Sequence, residues 1–133
     1  MRRKLILVDD DKISLLITKK VIQSIITDDF FSEILIFDQP GLCLDQMAAI
    51  SFQEEKICIL LDLNMPLISG WDFLEKLSLI DPKENIPVVI LTSSVSELDR
   101  ERSKGYSRVK DFFSKPMSEA LVKRIYQICM EME

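Results

Sequence analysis

Acidic, hydroxyl and basic residues recur in this sequence at one kind of place, directly after short unbroken apolar runs. Asp9, Asp10 and Asp11 follow Leu5-Ile6-Leu7-Val8; Asp62 follows residues 57–61; Thr92, Ser93 and Ser94 follow residues 88–91; Ser114 and Lys115 follow residues 109–113. Carboxylates held close without a cation repel one another, so either one carboxyl pKa rises or an ion binds. An oxygen-only donor set suits magnesium, a hard ion that keeps several waters, and Asp9, Asp10 and Asp62 are the candidate ligands. An aspartate can also accept a phosphoryl group covalently, as an acyl phosphate. Magnesium bridging Asp62 to an incoming phosphoryl group would neutralise charge on the transferring oxygens, with Lys115 pairing a second oxygen and Thr92 hydrogen-bonding the third.

These residues meet only if the apolar runs lie side by side. Runs at 5–8, 34–37, 57–61 and 88–91, and a weaker one at 109–113 with Lys110 and Asp111 inside it, lack polar alternation, which marks strands buried on both faces of a parallel sheet. Segments of helical period separate them. Ile13, Leu16, Ile17, Val21 and Ile25 predict one buried face of a first helix; Trp71, Leu74, Leu77 and Ile80 predict another; Leu121, Ile125, Ile128 and Cys129 predict that of the last. Ser69 with Asp72 and Ser94 with Glu97 have the form of capping boxes, Ser118 caps the last helix and Gly105 stops the fourth. Strand and helix alternate five times, which specifies an α/β fold with helices on both faces of the sheet. In such sheets ligands gather beyond the carboxyl ends of strands that lie about 4.8 Å apart.

The chain has 133 residues, the size of one domain spanning 1–133, and its 47% hydrophobic and 29% charged residues describe a globular protein with a real core. A net charge of -5 argues against nucleic acid as a partner. There is no histidine, so no Ser-His-Asp or Cys-His unit is available and any histidine chemistry must come from a partner. Gly41, Gly70 and Gly105 are too far apart for a dinucleotide fingerprint or a P-loop. Cys43, Cys58 and Cys129 have no CxxC spacing and read as small buried hydrophobes. The basic start Met1-Arg2-Arg3-Lys4 precedes too short an apolar stretch for export, and no run approaches the roughly 20 residues that cross a bilayer, so a cytoplasmic location without membrane contact is expected.

Four stretches together, Leu5-Ile6-Leu7-Val8-Asp9-Asp10-Asp11, Leu60-Leu61-Asp62-Leu63-Asn64-Met65-Pro66, Val89-Ile90-Leu91-Thr92-Ser93 and Phe113-Ser114-Lys115-Pro116, make the sequence closely resemble the receiver domain of bacterial two-component response regulators, of the stand-alone chemotaxis-regulator type. The resemblance implies a doubly wound (βα)5 fold with a five-stranded parallel sheet in the flavodoxin-like order 2-1-3-4-5. It implies a phospho-acceptor at Asp62, a magnesium-binding pair at Asp9 and Asp10, a metal-ligating backbone carbonyl at Asn64, a switch hydroxyl at Thr92, a phosphate-pairing Lys115 and a cis peptide before Pro116. Phe112, three residues before the lysine, stands at the switch aromatic. The implied partners are a histidine kinase or histidine phosphotransfer protein, a downstream protein target, and a phosphorylation-dependent second copy.

Departures and plainer roles accompany this. Ser69-Gly70 replaces the family's Asp-Gly pair, Phe112 lacks a hydroxyl, and the segment from Gly105 to Phe113 is longer than the common form. Asp11 reads as a helix cap, Trp71 and Phe73 as core, and Arg100, Arg102, Lys104, Arg108 and Lys110 as a solvated basic face. Because the sequence stops after the fifth helix, a signalling module with no output domain is expected, assisting its own phosphorylation and dephosphorylation without being an enzyme in the usual sense. The rival is a small magnesium-dependent aspartate-nucleophile phosphatase, since Asp9 and Asp11 also spell the Asp-x-Asp of haloacid dehalogenase-like enzymes, although Ile13 stands where that motif prefers Thr or Val. A receiver-like scaffold that takes no phosphate is disfavoured because every expected site residue is present.

Overall fold

The structure, a computed structural model, describes residues 2–27, 29–93 and 96–132. Five strands, β1 (Arg2–Val8), β2 (Glu33–Phe37), β3 (Glu55–Leu61), β4 (Val88–Thr92) and β5 (Val109–Ser114), alternate with helices α1 (Lys12–Ile25), α2 (Pro40–Ala48), α3 (Gly70–Ile80), α4 (Glu97–Ser103) and α5 (Glu119–Glu131). All neighbouring strands are parallel and their order is β2-β1-β3-β4-β5. This is the expected flavodoxin-like order. Alternate side chains of the central strands feed two cores. Ile6, Val8, Ile59 and Leu61 pack with Met47, Phe73, Leu74 and Leu77 of α2 and α3, while Leu5, Leu7, Cys58 and Leu60 pack with Leu15, Ile22, Leu121 and Ile125 of α1 and α5. All three cysteines are buried.

The first helix is turned differently from its apolar count. Leu15, Thr18 and Ile22 are the buried residues of α1, whereas Ile13 is 69% exposed, Leu16 51%, Ile17 55% and Ile25 42%. Leu15, Thr18 and Ile22 are spaced three and four apart, so they form a regular helical stripe. It is hard to see in sequence because Thr18 counts as polar.

Other local expectations sort cleanly. Ser69 and Asp72 form the capping box of α3, Ser118 caps α5, and Asp11 caps α1 by accepting from the N–H groups of Ile13 and Ser14. Ser94 lies outside the described residues, and α4 is capped by Ser96, which accepts from the Asp99 N–H at 3.4 Å. The long segment before Phe113 is absorbed as a β-bulge: Val88 pairs with Val109 but Val89 pairs with Asp111, leaving Lys110 as the extra residue. Arg108 does not belong to a solvated face. It is 4% exposed and pairs with buried Asp81 at 2.9 Å. Phe73 is core as expected, while Trp71 is only half-buried, stacked on Tyr106 at 5.7 Å and covered by Arg102 at 4.4 Å.

Candidate functional site

The candidate residues converge because of the strand order. β1 and β3 are direct neighbours with Val8 opposite Leu61, so Asp9 and Asp62, the next residues of each, emerge side by side. Their backbones are fixed where the strands end: the Asp9 N–H donates to the Phe37 carbonyl at 3.1 Å and the Asp62 N–H to that of Val8 at 3.0 Å. Thr92 ends β4 opposite Ser114, and the Lys115 N–H donates to the Thr92 carbonyl at 2.8 Å. Thus Lys115 enters from the strand end beside Thr92. The Lys115-Pro116 peptide is cis, as the resemblance implied.

Lys115 places its Nζ 2.7 Å from Asp9 Oδ2 and 3.5 Å from Asp62 Oδ2. The Asp11 N–H donates to Asp9 Oδ1 at 3.0 Å, and the Asn64 N–H to Asp62 Oδ1 at 3.2 Å. The Thr92 hydroxyl is hydrogen-bonded to Asp62, and the Asn64 amide donates to Thr92 Oγ1 at 3.4 Å. Asp9, Asp62 and Thr92 are buried, whereas Asp10 and Asn64 are exposed. The site is a buried floor with an open mouth.

Burial and charge act unequally on the two buried carboxylates. Burial raises Asp9, but the hydrogen-bonded Lys115 ammonium and the Asp11 N–H outweigh it and hold Asp9 below the usual carboxylate value. Asp62 is pushed up, first by burial and then by the Asp9 charge, with Lys115, the Asn64 N–H and the Thr92 hydroxyl offsetting only part of this. Burial works against the Lys115 charge, yet Asp9 and Asp62 together raise it above its usual value. One positive charge therefore serves two acids, and the second acid is under-compensated. Oxygen atoms of Asp9, Asp10 and Asp62 lie within 4.8 Å of one another, an all-carboxylate set whose excess negative charge fits a hard divalent cation.

Two residues that the sequence reading named without a part in the site also contribute. A Cβ on Gly70 would lie 2.7 Å from Leu63 Cα and 2.8 Å from the Asp62 carbonyl oxygen, so the missing side chain is what lets α3 start against the acidic loop. The second is Arg100, whose guanidinium lies 4.8 Å from the Phe112 ring centroid and whose Nη1 donates to the Phe112 carbonyl at 3.4 Å. Gly70 carried a signal, a glycine directly after a capping serine. Arg100 carried none.

Phe112 itself is 6% exposed and packs with Leu63 and Ile90. The ring is already inside.

A five-stranded doubly wound sheet with acids, a hydroxyl and a lysine at adjoining strand ends defines the receiver class of signalling domain. The model of the response regulator receiver domain family matches residues 5–126, and the chain belongs to that family. A two-component response regulator of Arabidopsis thaliana is 32% identical over 96 residues, 70% of this chain and 50% of the relative. A probable transcriptional regulator of Porphyra purpurea is 33% identical over 127 residues, 94% of this chain and 56% of the relative. The chain spans about half the length of these curated relatives. Among solved structures, a two-component response regulator from Cytophaga hutchinsonii superimposes with a TM-score of 0.83 at 21% identity, covering 98% of each chain. A CheY-like receiver domain protein from Methanospirillum hungatei gives 0.79 at 20% identity, covering 99% of this chain and 97% of the other. The phosphatase alternative is not favoured: the second acid of its Asp-x-Asp, Asp11, is spent on capping α1. Among the described residues no helix is long and apolar enough to cross a membrane.

Proposed function

We propose that Asp62 takes a phosphoryl group from a phosphohistidine on a kinase or phosphotransfer protein, and that the acyl phosphate changes how this domain binds its targets. An Asp62 carboxylate oxygen attacks phosphorus, the P–N bond breaks, and the imidazole leaves with its electron pair and takes up a proton. The observation that carries this is Asp62 itself: an acid at the end of the central strand, pushed up by burial and then by the Asp9 charge and held by the Asn64 N–H, with Lys115 Nζ 3.5 Å away. Asp9, Asp10, Asp62 and the backbone carbonyl of Asn64 are the groups that would hold magnesium, which supplies charge neutralisation for the transferring oxygens. Lys115 and Thr92 would receive the remaining phosphoryl oxygens. The absence of histidine agrees with a donor supplied from outside. The domain acts as a signalling module, cytoplasmic, with chemistry confined to loading and losing its own phosphate.

The exposed apolar face of α1 suits the docking of that donor. Ile13, Leu16 and Ile17 stand in the first turns of the helix that Asp11 caps, immediately after Asp9 and Asp10. Acetyl phosphate with magnesium should add one phosphoryl group, detected by mass. Wild-type loading of Asp62→Asn would refute the assignment.

A further inference from the structure

A second concave surface adjoins Asp10 and is not used by the phosphoryl chemistry. A cavity of about 410 Å³ lies between the start of α2 and the loop joining β3 to α3. That volume is within the roughly 300–1,000 Å³ of sites that take ligands or anchoring side chains. Pro40, Leu42, Met65, Leu67 and Ile68 supply apolar wall, while Asp10, Asp38 and Asp45 supply its charge. Leu67 is 94% exposed and Leu42 is 53% exposed. Two large aliphatic side chains left in water on opposite lips of one groove are an unfilled contact surface rather than scattered surface apolarity.

Charge narrows the occupant. No lysine or arginine lines the cavity, and of its carboxylates Asp38 alone has a cation beside it among the described residues, Lys12 at 3.6 Å across an exposed pair. An anionic lipid or a nucleic acid would meet only repulsion here. A bare cation would leave the apolar walls wet, and an uncharged apolar group would leave the acids unanswered. A second copy is the weaker fit: of its basic stretch Arg108 is buried on Asp81, Arg100 lies over Phe112 and Arg102 over Trp71, and the exposed Lys104 and Lys110 already engage Glu101 and the Ser107 carbonyl. We propose that this groove docks a segment of a partner protein in which a lysine or arginine stands beside a large apolar side chain. The cation sits against Asp45, outside the magnesium set, and the apolar side chain covers Leu42 and Leu67. The surface is independent of Asp62, so binding through it needs no phosphorylation.

The test uses the full chain, isotopically labelled, and the probe peptide acetyl-Leu-Arg-Leu-Lys-amide followed by amide chemical shifts. Saturable shifts at residues 38–45 and 65–68 are expected, weakening as salt rises. Both Asp45→Lys and Leu42→Ser lie on exposed positions outside the phosphoryl site, and each should weaken the peptide by about tenfold, as loss of a complementary contact does. Asp62→Asn should bind it as wild type does, which separates this surface from the phospho-acceptor. Equal shifts from acetyl-Leu-Glu-Leu-Glu-amide, equal shifts from lysine amide alone, or no saturation would each overturn the proposal. So would concentration-dependent dimerisation through Leu42 in the absence of peptide.

Discussion

Lys115 is asked to neutralise two carboxylates, and at the level of single residues this imbalance is the site's main property. Its shorter contact, 2.7 Å, goes to Asp9, leaving Asp62 at 3.5 Å as the acid whose charge is least compensated. Removing the Asp62 charge should therefore relax the metal-free protein. We expect Asp62→Asn to be more stable than wild type by about 1 kcal/mol without divalent ions, a rise of ~4 °C in melting temperature, and added magnesium to narrow the difference by stabilising wild type alone. Thermal melts in chelator and in magnesium measure both. Asp81 is the opposite case. Burial pushes its carboxyl up, but Arg108, the Asn85 and Ile86 N–H groups and the Asn85 side chain overcome this and hold it below the usual value. A depressed folded-state pKa contributes stability that is fully present above the unfolded value of about 3.9 and lost as pH falls through the folded value. Asp81→Asn strands the Arg108 guanidinium in the interior and should cost about 3–5 kcal/mol at neutral pH. Its melting temperature should also fall less steeply than wild type's below about pH 4, because the titrating partner is gone.

Elements explain why some of this was legible in sequence and some was not. The strands announce themselves, since Leu5 to Val8 or Ile57 to Leu61 must be covered on both sides whatever the tertiary detail, and caps such as Ser69 and Ser118 act within one turn. The buried face of α1 does not. Two stripes compete on that helix, and the one that packs contains Thr18, which is buried although its hydroxyl makes it count as polar. The losing stripe stays exposed, and if it receives the phosphodonor, Ile17→Glu should abolish transfer from a histidine kinase while leaving loading from acetyl phosphate and the melting temperature nearly unchanged. Equal loss from both donors would mean that the face supports the site and not the partner. The start of α3 can be tested in the same spirit. Gly70→Ala must push either the helix or the Asp62 loop aside, so it should cost about 1–3 kcal/mol and slow acetyl phosphate loading by about tenfold, the effect of a small misplacement at a reacting group.

Over the whole molecule, the site and the α4 side of the sheet are linked by packing across β4. Thr92, at the end of that strand, is bonded to Asp62, while Ile90 of the same strand packs on Phe112 and Leu63, and Arg100 of α4 covers the ring and holds its carbonyl. None of these longer connections is written in a local pattern: Asp81 finds Arg108 and Arg100 finds Phe112 only once the chain has folded. Because Phe112 is already covered, a phosphoryl group on Asp62 cannot draw on the burial of an exposed phenyl ring, and its reach into α4 depends on displacing Thr92 and, through Ile90, the packing of the ring beneath Arg100. A ligand or modification shifts an equilibrium only by what it contacts differently in the two states, so removing the ring should uncouple the two ends without silencing the acceptor. Phe112→Ala is expected to cost about 3–5 kcal/mol, the loss for truncating a buried phenylalanine. Phe112→Leu preserves more of the volume and should cost less. Both should still accept phosphate at Asp62, and both should show smaller beryllofluoride-induced amide shifts at residues 97–113 than wild type. Undiminished shifts in the leucine variant would mean that phosphate reaches α4 by a route that does not pass through this ring.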